Sequence, residues 1–422
     1  MSVYVVDARR TAIGTAHGMW RDTDTTGLAA PVLAALARAC PESGLIRQIV
    51  LGTVRGPGGN VARVAALAAG LDGTPALSVD RQCGSGLAAV EVGHHWLTAE
   101  PGYVIAGGVQ AVSTEPLTYW PPAGGGPAQR YERAPFSPPG WPDPEMGEAA
   151  DALAAERGIG RQRQDAYAVD SHRRALAAQE AGLFTAEILP ISGRDRDERP
   201  RSGFSIERLA RFRPIFRSDG TVTAANSCGI NDGAAAVLMA DEDTWARHRS
   251  PGLRILALCS ATCDPARPGW GIVPACRLAL ERSGIAPDQL DVIEFNEAFA
   301  GQVLACLDAL GIDQGRNCPQ GGAIALGHPW AASGAILLTR LFSQLVRQGR
   351  GRYGLAAIAI GGGQGTAVVV ETARWTAARQ RPGQRPARAA TAPAGQQPAH
   401  RADRRARAVG GAAPLTSVRM GR

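Results

Sequence analysis

The sequence predicts an α/β protein whose core consists of two similar halves facing each other. Three observations carry this. Strand-like and helix-like segments alternate along most of the 422 residues, as in stacked βα units. The order strand, Gly-rich loop, helix occurs in the first part of the chain and again after residue 290. The spacing also agrees: Ile49 to Cys83 is 34 residues and Val292 to His328 is 36. A chain of this length, 45% hydrophobic, can bury more than one core. Its 52 glycines and only 5% aromatic residues suit helices packed closely on sheets.

Residues 3–6 read as a strand, as do 48–51. A Gly-rich loop and a helix over 61–70 follow. Residues 76–80 form a short strand, a helix runs over 83–98, and 103–112 is a strand with a break at Gly107-Gly108. In the second half 291–295 is a strand and a helix starts near Ala298. The turn at Gly321-Gly322 leads through His328 to a helix over 333–345. Residues 355–360 are a strand ending at Gly361-Gly362-Gly363, and 366–371 are strand-like after it. Between the halves, 113–223 is a Pro-rich excursion too long for an ordinary connection, with one clear helix over 161–181. Residues 233–240 then return to the first half. The expected organisation is therefore 1–112 with 224–250, an insertion over 113–223, a second half over 251–374, and a tail over 375–422.

The net charge of +7 belongs to the tail. After Trp375 there are ten arginines and one aspartate, a net of +9, which leaves −2 for residues 1–375. Rich in Arg, Ala, Pro, Gly and Gln, the tail cannot bury enough apolar surface to offset its ordering entropy, so it is expected to be disordered. No aromatics interleave its arginines and no nucleic-acid motif accompanies it, so nucleic acid is not an expected partner. The chain has no lysine, which excludes a lysine Schiff base and pyridoxal phosphate chemistry. The start lacks the pattern of a signal peptide and no apolar run reaches membrane-spanning length, so a soluble cytoplasmic protein is expected. In that setting the eight cysteines are free thiols, and their spacing suggests no metal site.

Three runs carry candidate chemistry. In Leu77-Ser78-Val79-Asp80-Arg81-Gln82-Cys83-Gly84-Ser85-Gly86-Leu87, the cysteine stands where a strand turns into a helix. The positive helix end would favour its thiolate, and glycines behind it permit close approach. The alternative is a buried structural cysteine. In Gly321-Gly322-Ala323-Ile324-Ala325-Leu326-Gly327-His328-Pro329, a histidine between Gly and Pro could take the cysteine proton, or be a satisfied structural histidine. In Asn296-Glu297-Ala298-Phe299-Ala300, at a strand end, the amide could orient water or an oxyanion, or cap a helix.

Together these runs resemble the thiolase family over roughly residues 1–374. The opening Asp7-Ala8-Arg9-Arg10-Thr11-Ala12-Ile13-Gly14 and the segment from Arg213-Pro214 to Asn231-Asp232-Gly233 add to the resemblance. It implies a five-layered αβαβα core with a loop domain, here 113–223, covering coenzyme A. It also implies an acyl-CoA substrate, no further cofactor, and a homodimer or homotetramer paired through the strand before Cys83. By the same resemblance Cys83 accepts the acyl group and His328 deprotonates it. His328 and a water held by Asn296 form one oxyanion hole, and the backbone N–H groups of Cys83 and Gly361 form another. Positions matching the family's CoA tunnel are Met146, Arg201, Leu209, Phe212, Cys228 and Phe299.

The chain departs from the family at one chemical position. Where the family's final Gly-rich strand carries a second acid/base cysteine, this chain has Ala359. A methyl group transfers no proton, so the expected reaction is acyl transfer through Cys83 to an acceptor that needs no base there. The alternatives are a thiolase in which another group, with Cys228 and Cys318 the nearest candidates, moves the proton, and a non-catalytic acyl-CoA-binding subunit. Asp80 replaces a usual Asn and could raise the Cys83 pKa. Trp330 and Ala331 replace smaller aliphatic and Gly residues and could reshape the pocket. Glu145 stands where some biosynthetic members have His.

Overall fold

The computed structural model describes residues 2–122, 124–248 and 250–374; the basic tail lies outside the described residues. Their strands are β1 (Val3–Arg10), β2 (Gly14–Thr15), β3 (Ile46–Gly52), β4 (Ala76–Val79), β5 (Tyr103–Gln110), β6 (Thr118–Trp120), β7 (Gln129–Tyr131), β8 (Asn231–Asp241), β9 (Gly252–Thr262), β10 (Val292–Phe295), β11 (Tyr353–Ile360) and β12 (Gln364–Ala373). The helices are α1 (Thr25–Ala39), α2 (Val61–Ala68), α3 (Ser85–Ala99), α4 (Met146–Glu156), α5 (Arg161–Glu180), α6 (Ile206–Leu209), α7 (Glu242–His248), α8 (Ile272–Ser283), α9 (Ala300–Ala309), α10 (Ala323–Leu326) and α11 (Trp330–Phe342).

The strands run in the order β10-β11-β12-β9-β1-β8-β5-β3-β4. Outward from the central β9–β1 pair the succession is the same on both sides: β12, β11, β10 one way and β8, β5, β3 the other. The two halves thus share one topology. Their seam is narrow, holding two residue pairs, Tyr4↔Arg254 and Val5↔Leu253. Within each half the outer pairs are parallel, β3 with β4 and β5, and β10 with β11. Parallel pairs need helical crossovers, and these supply α2 and α3 in one half and α9 to α11 in the other.

Three buried cores follow. One packs α1 and α2 on the first half, through Leu28, Leu33, Leu36, Ile49 and Ile105. A second packs α8 and α9 on the other half, through Ile272, Cys276, Val303, Phe295 and Val369. The third lies between the two halves of the sheet and joins Leu87 and Val90 of α3 and Leu338 and Leu341 of α11 to β-strand residues of both halves. The result is five layers, αβαβα. Helix α11 is buried at every position from Ala331 to Phe342, as a helix covered on all sides must be. The inner helices touch at glycines. A Cβ on Gly86 would lie 2.8 Å from the Ala331 carbonyl and 2.8 Å from the Ala335 nitrogen.

The excursion after β5 holds the β6–β7 hairpin and α4, α5 and α6. Helix α5 matches the helix expected over 161–181, whereas α4, directly after the Pro-rich stretch, was not apparent from the sequence. Buried charges tie this region to the core. Arg10 of β1 meets Glu187 at 2.8 Å and Asp197 at 2.7 Å. Glu187 also receives Arg340 of α11 at 2.5 Å. Burial opposes ionisation of Glu187, but Arg340 and Arg10 outweigh it and hold this carboxyl below its usual range.

Candidate active site

Each inner helix brings one reactive side chain to the same pocket. Strand β4 ends at Val79, and the next residues form a tight, hydrogen-bonded turn. Asp80 Oδ1 accepts the Gln82 N–H at 2.7 Å, which holds Gln82 in the left-handed region at φ 48°. Ser85 Oγ accepts the Arg81 N–H at 2.8 Å and donates to the Gln82 carbonyl at 2.6 Å. This turn delivers Cys83 to the pocket wall two residues before α3 begins. At Gly84 the Ile360 side chain, from the end of β11, packs into the space a Cβ would take.

On the other half, α10 ends at Gly327, with φ 114°. A Cβ there would meet the Asn231 carboxamide at about 2.5 Å. That carboxamide accepts the His328 N–H at 2.9 Å. The His328 ring is then fixed from the first turn of α11, with Nδ1 2.6 Å from Ser333 Oγ. Ser333 therefore occupies Nδ1 and leaves Nε2 for chemistry. The Asn-Glu-Ala-Phe run is anchored by Glu297. Its carboxylate accepts from Tyr167 Oη and Ser171 Oγ of α5, both at 2.8 Å, and from the Ile324 N–H at 3.2 Å. This one buried carboxylate joins the strand end, the insertion and the turn that carries His328.

The pocket has a volume of about 140 Å³, and Cys83, His328, Cys228, Met146, Phe299 and Gly361 all line it. Ala359 and Trp330 form further parts of its wall. The Arg55 guanidinium lies over the Trp330 ring, 5.8 Å from its centroid, and pairs with Glu115 at 2.5 Å. The pocket is largely apolar, and it controls ionisation accordingly. Burial pushes the Cys83 thiol up to about 12, with smaller contributions in the same direction from Cys228 and Asp80. Burial also pulls His328 down to about 4. The helix-end effect expected to favour the thiolate is thus outweighed by desolvation, and thiol and imidazole rest as a neutral pair.

Four expected site residues stand elsewhere. Asn296 is buried at the end of β10 and lines a small adjoining cavity with Ser333, not the Cys83 pocket. Leu209 is fully buried and packs into the core beside α8 and α9. Phe212 is half-buried against Phe204, with ring centroids 6.4 Å apart. Arg201 is exposed, and its N–H donates to His172 Nδ1 at 3.2 Å. Cys318 does not reach the pocket either, because its thiol donates to the Phe295 carbonyl at 3.3 Å. Phe136, whose ring lies directly over Gly361, carries no signal in the sequence. Nor do Ser333 and Arg199. Only Glu297 left a trace, as a carboxylate inside a run already singled out.

Two family models match the chain: the N-terminal domain of thiolase over residues 3–243 and the C-terminal domain of thiolase over residues 250–372. An acetyl-CoA acetyltransferase of Pseudomonas aeruginosa is 40% identical over 397 residues, spanning 87% of this chain and 98% of the relative. The beta-ketothiolase BktB of Cupriavidus necator is 39% identical over 391 residues, with the same coverage. The crystal structure of the Bacillus anthracis acetyl-CoA acetyltransferase superposes with a TM-score of 0.80 at 33% identity, covering 88% of this chain and 99% of that one.

Proposed function

This chain belongs to the thiolase family of acyl-CoA acyltransferases, and from that premise we propose that it transfers acyl groups from coenzyme A thioesters through a Cys83 acyl-enzyme. The observation that carries the proposal is the single pocket in which Cys83 and His328 meet, each delivered by the turn before an inner helix. In this reading His328 Nε2 takes the thiol proton as the sulfur attacks the thioester carbonyl. Ser333 at Nδ1 keeps the ring in place during that step. The neutral resting pair limits side reactions of an exposed thiolate, and ionisation accompanies substrate binding. The N–H groups of Cys83 and Gly361 are the proposed donors to the tetrahedral oxyanion. Asn296, at the adjoining cavity, would act through water on the far side of His328. The insertion over 113–223 would cover the coenzyme, in a homodimer or homotetramer joined at the outer edge of β4.

The acceptor is decided by whether the pocket can move a proton at the α-carbon. An acceptor that needs no base follows from Ala359 considered alone. The presence of Cys228 in the same wall favours instead thiolase chemistry with a substitute proton carrier. The first half-reaction is tested separately from the acceptor. Incubation with a panel of acyl-CoAs, followed by intact-protein mass spectrometry, should add one acyl mass, located on Cys83. Cys83→Ala should take up none. Equal labelling of that variant on another residue would refute the assignment.

A further inference from the structure

The wall around Ala359 contains one more group able to carry a proton. Strand β11 places Ala359 on the pocket, and Cys228 stands on that same pocket with Cys83 and His328. Cys228 is fixed by its backbone, whose N–H donates to the Ala298 carbonyl at 2.9 Å. The isolated pairing of Ser227 with Phe299 holds the residue before it. Arg199 encloses this backbone. Its Nη2 donates to the Ser227 carbonyl at 3.0 Å and its Nε to the Ile324 carbonyl at 3.0 Å. A Cβ on Gly229 would lie 2.9 Å from its central carbon, so only glycine leaves room for the guanidinium beside Cys228. A partly buried cation bonded to carbonyls is a standing stabiliser for a thiolate next to it.

We propose that Cys228 performs the proton transfer for which Ala359 has no group, so that this chain forms and cleaves carbon–carbon bonds with a relocated acid/base thiol. The inference rests on the reading of Cys83 as the acyl-accepting nucleophile. In the cleavage direction His328 takes the Cys83 proton and the Cys83 thiolate attacks the β-carbonyl of a 3-ketoacyl-CoA. The bond between C2 and C3 breaks, and its electron pair goes to C2. C2 takes the proton of the Cys228 thiol, which releases acetyl-CoA, keeps the shortened acyl group as a thioester on Cys83 and leaves Cys228 as thiolate beside Arg199. Incoming coenzyme A gives its thiol proton to Cys228 and attacks the Cys83 thioester. Cys83 departs as thiolate and recovers its proton from His328. Every proton and electron pair is accounted for, and the reverse sequence is condensation. Burial holds the free Cys228 thiol at about 11, with Arg199 pulling the other way. The resting form is therefore the acid that cleavage needs.

The test is thiolysis of acetoacetyl-CoA by coenzyme A, run beside acyl-enzyme mass analysis. Cys228→Ala should cut thiolysis by about 10²- to 10⁴-fold while acyl-enzyme remains detectable on Cys83. Adding Ala359→Cys to that variant should recover at least about tenfold, which a merely structural role for Cys228 would not allow. If Cys228→Ala fails to fold, Cys228→Ser takes its place and should show the same loss and the same rescue. Thiolysis within threefold of the wild type in the Cys228 variant, or no rescue in a folded double variant, overturns the proposal. So does a wild type that acylates Cys83 but performs no thiolysis, and that result leaves the acylation reading intact. Absence of Cys83 acylation in the wild type overturns both.

Discussion

Ser333 shows how much of this site depends on one short contact. Its hydroxyl lies 2.6 Å from His328 Nδ1, and both groups are buried. Without it the ring could rotate or change tautomer, and a base displaced by a fraction of an ångström acts much less well. Ser333→Ala should therefore lower the single-turnover rate of Cys83 acylation by about 10- to 100-fold, whereas Ser333→Thr should retain most of it. An unchanged rate in the alanine variant would show that the backbone turn alone orients His328. Cys83 and His328 were legible in the sequence because each stands in a glycine-bounded turn that core packing explains poorly. Their supporting groups were not. Glu297 and Arg199 act across the fold: Glu297 meets Tyr167 and Ser171 more than a hundred residues away, and Ser333 is an ordinary helix serine until the turn brings His328 onto it. Family position alone assigned Arg201, Leu209 and Phe212 to the CoA tunnel; they do not line the Cys83 pocket itself.

Among the elements, the glycine pair in β5 is the clearest case of a local signal with a distant cause. Gly107-Gly108 suggested a break, yet β5 runs unbroken to Gln110 and pairs with β8 throughout, including Gly108 with Ala235. These glycines mark close approach instead. A Cβ on Gly107 would press into Ala236 of β8, and one on Gly108 would overlap the Ala331 carbonyl at the start of α11. Both obstacles are backbone or packed core, so neither can move easily. Gly108→Ala should cost about 1–3 kcal/mol of stability, the usual range for overpacking, read from the chemical denaturation midpoint. It should also slow acylation, because α11 begins two residues after His328. A variant as stable and active as wild type would mean that α11 can slide along the sheet. The same kind of ambiguity hid other elements. Helix α1 carries Gly27 and Pro31 and helix α8 carries Pro274, residues that discourage a helix reading although tertiary packing permits one. The strands and helices of the pseudo-repeat were readable because their spacing recurs.

At the scale of the whole molecule, the five-layer arrangement buries ionisable groups whose protonation must then change on unfolding. Glu294, in β10, is the informative one. Burial pushes it up to about 7, even though Arg340 nearby and Gln344 Nε2, which donates to it at 2.5 Å, favour the carboxylate. An unfolded Glu titrates near ~4.3. Between those two values the folded chain binds a proton that the unfolded chain does not. Stability from this group is therefore fully present at low pH and is lost as pH rises toward and through 7. His328 and His172, both pulled down to about 4 mainly by burial, behave oppositely. Below ~6.5 the unfolded chain binds protons that these folded imidazoles refuse, so their contribution falls as pH falls toward 4. The two effects overlap and partly cancel in weakly acid solution, whereas above pH 7 only the carboxyl still has a cost to relieve. Glu294→Gln removes that cost and keeps a hydrogen-bonding oxygen for Gln344. At pH 8 the variant should be more stable than wild type by on the order of 2–3 kcal/mol; at pH 5 the two should differ little. Denaturant unfolding at both pH values measures the difference directly. A variant destabilised at pH 8 would mean that Glu294 is held as a carboxylate by Arg340, and that this ion pair, rather than a neutral carboxyl, closes the inner face of β10.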